Sequence, residues 1–328
     1  MKLYEIILAI LSATAPLTMA LSSIQPLSVA CRSRVGFDSN RPQKVNQDAY
    51  FHIHVDYEEI CGCLVGIMDG HGLKGHLVTQ FLSERLPQRI VEQLKEPRPQ
   101  TEWEAKMKEL AKLDVEEEIS SLNDPSLRRI HDTLRHAFHQ AHVDAINAEE
   151  VPAGRSGTTC IACFVDNKYV HVAHVGDSRA IMIGKDGMVD VLTTETTVSN
   201  LPDDARRIQE GEGRDDRQGN VWYGPVGISM TRALGDAVML RAGVVPTPLV
   251  QSFPLAERGS STLVLATDGI FDVLSNEAVV DIVSKESSSL LEDAADTLLE
   301  RARHEWLGAD LPFVEEKMDD MTCVIVKL

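Results

Sequence analysis

The chain has 328 residues, 43% of them hydrophobic, enough to bury a sizeable core as one large domain or two small ones. Its 32 Lys and Arg stand against 50 Asp and Glu, a formal net charge of −18, which argues against general nucleic-acid binding because that needs basic surface. Six cysteines in a chain this long do not make a disulfide framework, and Cys160 and Cys163, in an apolar β-like run, read as buried free thiols.

Lys2 precedes a mostly apolar segment, residues 6–20, and small residues follow, so residues 1–25 read as a secretory or organelle-targeting segment. The alternative is a simple hydrophobic extension of a cytoplasmic protein; Glu5, Pro16 and the modest length speak against a membrane-spanning helix. Patterning from about residue 30 to 328 is that of one mixed domain. Strands are expected at residues 50–55, 61–68, 158–165, 169–175, 180–183, 262–266 and 321–326, rich in β-branched and aliphatic residues and bounded by Gly, Asp or Asn. Asp166-Asn167 and Lys185-Asp186-Gly187 are turn signals that predict antiparallel hairpins. A helix over residues 75–94 is expected to bend or divide at Pro87. Pro97 and Pro99 open an insertion with a charged helix over residues 103–119. Leu127, Ile130, Leu134, Phe138 and Ala141 form one apolar helical stripe. Ser289 and Glu292 form a capping box before a last helix that Gly308 ends. Residues 197–224 are rich in Asp, Arg and Gly and read as a long functional loop with a short helix near residues 203–209. Two runs of strands with helices between and after them predict an α+β fold, sheets packed on each other and covered by helices.

Aspartates recur at the ends of these strands. Asp69-Gly70-His71-Gly72 follows the strand over residues 61–68, Gly176-Asp177 follows residues 169–175, and Asp268-Gly269 with Asp272 follows residues 262–266. Asp319-Asp320 and Asn46-Gln47-Asp48 each precede a strand. Carboxylates gathered at one sheet edge repel one another unless cations lie between them. Oxygen-only ligation of this kind suits Mg²⁺ or Mn²⁺, and a pair of such ions can activate a water for in-line displacement.

The ordered series Asn46-Gln47-Asp48, Asp69-Gly70-His71-Gly72, Ser156-Gly157-Thr158-Thr159 and Gly176-Asp177-Ser178-Arg179-Ala180 continues through Thr231-Arg232-Ala233-Leu234-Gly235-Asp236, Ala266-Thr267-Asp268-Gly269-Ile270-Phe271-Asp272 and Asp319-Asp320-Met321-Thr322. It resembles the protein phosphatase 2C family of metal-dependent serine/threonine phosphatases from about residue 35 to the end. The resemblance implies a four-layer α-β-β-α sandwich, two antiparallel sheets flanked by helices. It implies that Asp69, Asp268, Asp319 and the Gly70 carbonyl ligate two catalytic Mn²⁺ or Mg²⁺ ions, that Asp48 holds a metal-bound water, and that Asp177 and Asp272 join Asp268 at a weaker third site. His71 matches the general acid that protonates the leaving serine or threonine oxygen, with water attacking phosphorus directly and no phosphoenzyme. No cysteine is followed six positions later by arginine, so the cysteine-based phosphatase chemistry has no loop here.

The chain departs from the family pattern at several places. Gln47 stands where many members have a metal-binding glutamate, and Gln43 where many have a phosphate-binding arginine; Lys44 is the substitute candidate for gripping phosphate. Asp320 replaces a frequent asparagine, and Thr194-Glu195-Thr196-Thr197 lacks an Asp-His pair common there. His131, His136, His139 and His142 crowd one helix and read as solvated or half-buried rather than as a zinc cluster. Arg206, Arg207, Arg214 and Arg217 either contact acidic phosphopeptides or balance Asp203, Asp204, Asp215 and Asp216. The expected activity is phosphoprotein dephosphorylation by a monomer with no nucleic-acid partner, touching a membrane only through an uncleaved N-terminal segment. The alternatives are a pseudophosphatase serving as a regulatory binding module and a two-metal phosphohydrolase of small molecules.

Overall fold

The computed structural model describes residues 27–57, 60–95, 124–216, 218–255, 261–285, 291–308 and 317–328. The targeting segment, the charged helix expected over residues 103–119, and Ser289 of the expected capping box lie outside the described residues.

In chain order the elements are β1 (Ser28–Arg34), β2 (Phe37–Asp38), β3 (Ala49–Tyr57), β4 (Ile60–Met68), β5 (Gly70–His71), α1 (Gly75–Lys95) and α2 (Pro125–Asn147). They continue with β6 (Gly157–Thr158), β7 (Cys160–Val165), β8 (Tyr169–Val175), β9 (Arg179–Ile183), β10 (Val189–Val191), α3 (Pro202–Glu210), β11 (Arg214–Asp215), β12 (Val221–Tyr223), β13 (Val226–Ile228) and β14 (Leu234–Gly235). A 3-10 turn at Ala237–Ala242 precedes β15 (Leu249–Pro254), β16 (Thr262–Ala266), α4 (Asp268–Phe271), α5 (Asn276–Lys285), α6 (Leu291–Gly308), β17 (Lys317–Met318) and β18 (Met321–Lys327).

Two five-stranded antiparallel sheets carry the fold: β1-β18-β16-β9-β10, and β15-β8-β7-β4-β3. Alternation along each strand sends one set of side chains between the sheets and the other toward the helices. Val65, Ile67, Ile161 and Val172 of the second sheet meet Met182, Leu263, Leu265 and Val324 of the first in a buried layer. The second sheet's other face packs Phe51, Leu64 and Met68 against Leu82, Leu86 and Ile90 of α1 and Leu134 and Phe138 of α2. The first sheet's outer face packs Val264 and Ile325 against Val279 of α5 and Leu298 of α6. The expected α-β-β-α layering is therefore present. No helix among the described residues is long and apolar enough to cross a membrane.

Most local expectations hold. The stripe from Leu127 to Ala141 lies on α2, and the structure adds a cap that the sequence reading did not single out, Asp124 accepting from Ser126 N at 2.8 Å. Asp166 accepts from the backbone of Lys168 and Tyr169 in the turn between β7 and β8. Three things differ. The helix α1 runs unbroken through Pro87, because burial of Leu82, Leu86, Ile90 and Leu94 along one face offsets the lost backbone hydrogen bond. The strand expected over residues 158–165 is split at Thr159, whose N–H turns to Asp69 O at 2.9 Å. The long loop contains, besides α3, strands β11 and β12, which join β13 just beyond it in a small sheet over a buried cluster of Ile208, Val221, Ile228 and Met239.

Candidate active site

The seam between the two sheets opens at one end into a cleft of about 480 Å³. Asp69, Gly70, His71, Asp177, Asp268, Asp319, Lys44 and Gln47 all line it. Each aspartate sits where a strand ends or begins: Asp69 after β4, Asp268 after β16, Asp319 before β18, and Asp177 between β8 and β9. Asp48, just before β3, joins them through its Oδ2, which accepts from Thr267 Oγ1 at 3.0 Å across the sheet seam.

The supports of these carboxylates are hydroxyls and backbone. Thr159 Oγ1 accepts the Asp69 N–H at 3.1 Å, and the Asp69 carbonyl takes Thr159 N at 2.9 Å and Thr158 Oγ1 at 3.0 Å. Thr267 Oγ1 also accepts Thr322 N at 3.0 Å, tying β16 to β18 beside Asp268. The Ser156–Thr159 motif, read from the sequence as structural, is what fixes the backbone of Asp69. Gly70 is tightly enclosed, since a Cβ there would meet Gln47 O at 2.5 Å and Thr79 Cγ2 at 2.8 Å.

The carboxyl groups press on one another. Asp69 and Asp268 come within hydrogen-bonding reach, and both have pKa values raised, first by burial and then by neighbouring carboxylates. Burial raises Asp48 as well, with Asp320 and Asp268 adding to it. Asp177 and Asp272 are raised by burial, and Asp272 further by Asp177 and Asp319. Asp48 Oδ1 and Asp268 Oδ1 are buried and have no hydrogen-bond partner. Buried oxygens without partners, in contact with like charges, are costly unless a cation or proton lies between them. That donor set fits hard divalent cations.

Asp319 is the exception, for although burial raises its pKa, Lys317 and Lys44 bring it below the ordinary carboxylate range. Lys44 lines the cleft, but its ammonium is held by Asp320 Oδ1 at 2.5 Å and lies 3.5 Å from Asp319. Asp320 also accepts from Gly36 N at 2.7 Å and Gln47 N at 2.9 Å. Its carboxylate, where an amide is frequent, is thus matched by a lysine and locks the loop that carries Asp48. The Gln47 amide donates to Gly72 O at 3.1 Å.

His71 Nε2 contacts Asp236 Oδ2 at 2.5 Å. Burial opposes charge on the ring, yet Asp236, with Asp177 and Asp268 beyond it, raises the His71 pKa above its usual value. Asp236 received no role from the sequence, although it closes the Thr231–Asp236 motif.

The other histidines lie away from this cleft. His131 bonds Ser252 Oγ at 2.8 Å, His139 bonds Thr247 Oγ1 at 2.9 Å, and His142 accepts Gly235 N at 3.2 Å. All three are buried, more deeply than expected, and burial pushes His131 down to about 4 and His142 to about 3. His131 and His142 are neutral packing groups. Arg206 and Arg207 pair with Asp203 and Asp204, the second pair fully buried. Arg217 lies outside the described residues.

Comparison with known proteins agrees with this geometry. A family model described as "Protein phosphatase 2C" matches residues 53–305. "Probable protein phosphatase 2C 61" of Arabidopsis thaliana is 30% identical over 87% of this chain and 81% of its own length. "Probable protein phosphatase 2C 52" of the same plant is 30% identical over 90% of this chain, which spans 65% of that relative. In structure, a serine-threonine phosphatase 2C from Toxoplasma gondii aligns with TM-score 0.69 at 17% identity, covering 92% of this chain and 94% of that one. The catalytic domain of the serine threonine protein phosphatase PstP, solved with 2 manganese ions, aligns with TM-score 0.52 at 17% identity, covering 92% and 97%. The ordered motifs, the layered sheets and the matched family model together place the chain in the protein phosphatase 2C family of serine/threonine phosphatases.

Proposed function

We propose that the protein hydrolyses phosphoserine and phosphothreonine in other proteins, using a water activated by two divalent cations and forming no phosphoenzyme. The observation that carries this reading is the buried contact of Asp69 with Asp268, beside the unpartnered Asp48 Oδ1 and Asp268 Oδ1. Asp69, Asp268, Asp319 and the Gly70 carbonyl would hold the catalytic pair, and Asp177 and Asp272 with Asp268 a weaker third ion. When bound, Mn²⁺ or Mg²⁺ supplies charge for the phosphoryl oxygens and lowers the pKa of the attacking water. Asp48 orients that water, its other oxygen being fixed by Thr267. His71 donates a proton to the leaving oxygen. Lys44 and Lys317 stand on the cleft wall toward an incoming phosphate, Lys44 doing so from its bond to Asp320.

A binding module without catalysis has no support here, because every metal-binding aspartate named above is present. Purified full-length protein should release phosphate from a phosphothreonine peptide with Mn²⁺ and stop with chelator. Asp268→Asn should abolish turnover with the fold retained; full activity in that variant refutes the two-cation reading.

A further inference from the structure

The small sheet β14-β6-β5 brings together three pieces of chain with no neighbouring sequence: Gly70–His71, Gly157–Thr158 and Leu234–Gly235. Asp236 follows directly. Its φ of 46° makes it the one non-glycine residue with positive φ among the described residues. A residue held in the left-handed region carries strain that persists only where surrounding structure imposes it, and such residues cluster at functional sites. Here the imposing contacts are plain. Asp236 N donates to Ser156 O at 3.1 Å, and its carbonyl accepts Met239 N at 2.7 Å.

The side chain has an equally specific setting. The Asp236 side chain is 1% exposed, and among the described residues it meets no lysine or arginine; its partner is His71 Nε2. Residue 157 is glycine where any Cβ would collide with Asp236 Oδ2. A buried carboxylate whose side-chain partner is one histidine and whose Oδ1 has no partner, in a strained backbone, with space cleared for it on the adjacent strand, is expensive as a purely structural element. The same contact leaves His71 Nδ1 buried and without a protein partner.

We propose that Asp236 is a positioning residue for His71: its carboxylate holds the Nε2–H edge and commits Nδ1 to the leaving oxygen of the substrate. The inference rests on the reading of His71 as the acid. As the bond from phosphorus to the serine or threonine oxygen breaks, the proton passes from His71 Nδ1 to that oxygen. Asp236 keeps its hydrogen bond throughout and takes no proton, as the orienting carboxylate does in a Ser-His-Asp arrangement.

The test compares Asp236→Ala, Asp236→Asn, His71→Ala and the double variant His71→Ala/Asp236→Ala, on a phosphothreonine peptide and on p-nitrophenyl phosphate with Mn²⁺. Asp236→Ala should lower kcat on the peptide about 10- to 100-fold with KM within about twofold, in the range seen when an orienting partner is lost. The loss on p-nitrophenyl phosphate should be at least severalfold smaller, because its leaving group needs little protonation. Asp236→Asn, which can still accept from Nε2–H, should recover part of the rate. The double variant should be no slower than His71→Ala alone. Nitrogen NMR of the wild-type protein should show His71 protonated at Nε2, which covers the case in which Asp236→Ala fails to fold. Multiplicative losses in the double variant, equal losses on both substrates, or His71 lacking an Nε2 proton each overturn the positioning role. If His71→Ala itself affects both substrates equally, the acid reading falls instead, a result distinct from failure of Asp236 alone.

Discussion

Substituting Asp204 tests whether the segment that brings Ser229 and Met230 to the cleft is anchored by charge. Asp204 on α3 is buried, and its two oxygens take Arg207 Nη1 at 2.5 Å, Arg232 Nε at 2.7 Å, Arg232 Nη2 at 2.8 Å and Thr231 Oγ1 at 2.7 Å. The two arginines spend further donors on Gly243 O, Thr231 O and Thr247 O. Asp204→Ala strands two buried guanidinium groups, and breaking such a pair costs about 3–5 kcal/mol. Asp203, its neighbour on the same helix, pairs with Arg206 at 2.8 Å but with side chains 75% and 65% exposed. Asp203→Ala should therefore cost under about 1 kcal/mol. Urea denaturation of both variants reads the difference directly. The pH dependence follows the same logic. Burial raises the Asp204 pKa, but Arg232 and then Arg207 bring it well below the ordinary carboxylate value. A folded pKa below the unfolded one gives stability that is complete above the ordinary carboxylate range and disappears as pH falls through it toward the folded value. Wild type should lose that contribution on acidification while Asp204→Ala does not. Equal, small losses in the two variants, or parallel acid curves, would refute the anchoring argument.

Other outcomes follow from the cleft and its supports. In chelator, Asp268→Asn should melt above wild type, because one of the repelling buried carboxylates is gone; added Mn²⁺ should raise the wild-type Tm and leave the variant nearly unmoved. Thermal scanning with and without Mn²⁺ decides this, and a lower Tm for the variant in chelator counts against the repulsion. Asp320→Ala removes the acceptor for Gly36 N, Gln47 N and Lys44. It should cost about 2–4 kcal/mol and weaken Mn²⁺ binding by calorimetry, since the loop bearing Asp48 loses its lock. Gly269→Ala should fail to fold normally, because a Cβ there collides with the Asp320 carbonyl; a near-native melting curve would show that α4 and β18 can separate.

The central strands and the site aspartates were legible because those strands are apolar runs that bury both faces and the aspartates stand at their ends or just before their starts. The edges were not. β1 alternates Arg32 and Arg34 with smaller residues and looks like linker, yet those arginines pair with Asp296 and Glu300 of α6 at 2.6 Å each. Its polarity records a helix 264 residues away in the chain, which no local window can see. β15 ends on Pro254, and proline demotes a strand by pattern even though an edge strand tolerates it. The β11-β12-β13 sheet was hidden by its charge, which Asp216 spends internally on Asn220 and Trp222. In the site, Asp236 was visible as the end of a motif, but its contact with His71 was not, because that depends on a left-handed backbone and on space left at Gly157.

The placement of the acidic groups explains why so many threonines and glycines accompany them. Asp48 and Asp69 belong to one sheet, Asp268 and Asp319 to the other, so the like charges meet across the seam that hydrophobic packing closes. Packing between the sheets therefore works against electrostatic repulsion at this end of the molecule. The hydroxyls of Thr159 and Thr267 hold the carboxylate-bearing backbone in place without adding charge. On the proposed assignment, cations entering the cleft would turn that repulsion into a cross-link from Asp69 of one sheet to Asp268 and Asp319 of the other, and binding would then be coupled to folding. On this reading metal affinity and the stability of the sheet seam change together. A variant that loosens the seam far from the cleft should then weaken Mn²⁺ binding without touching a ligand.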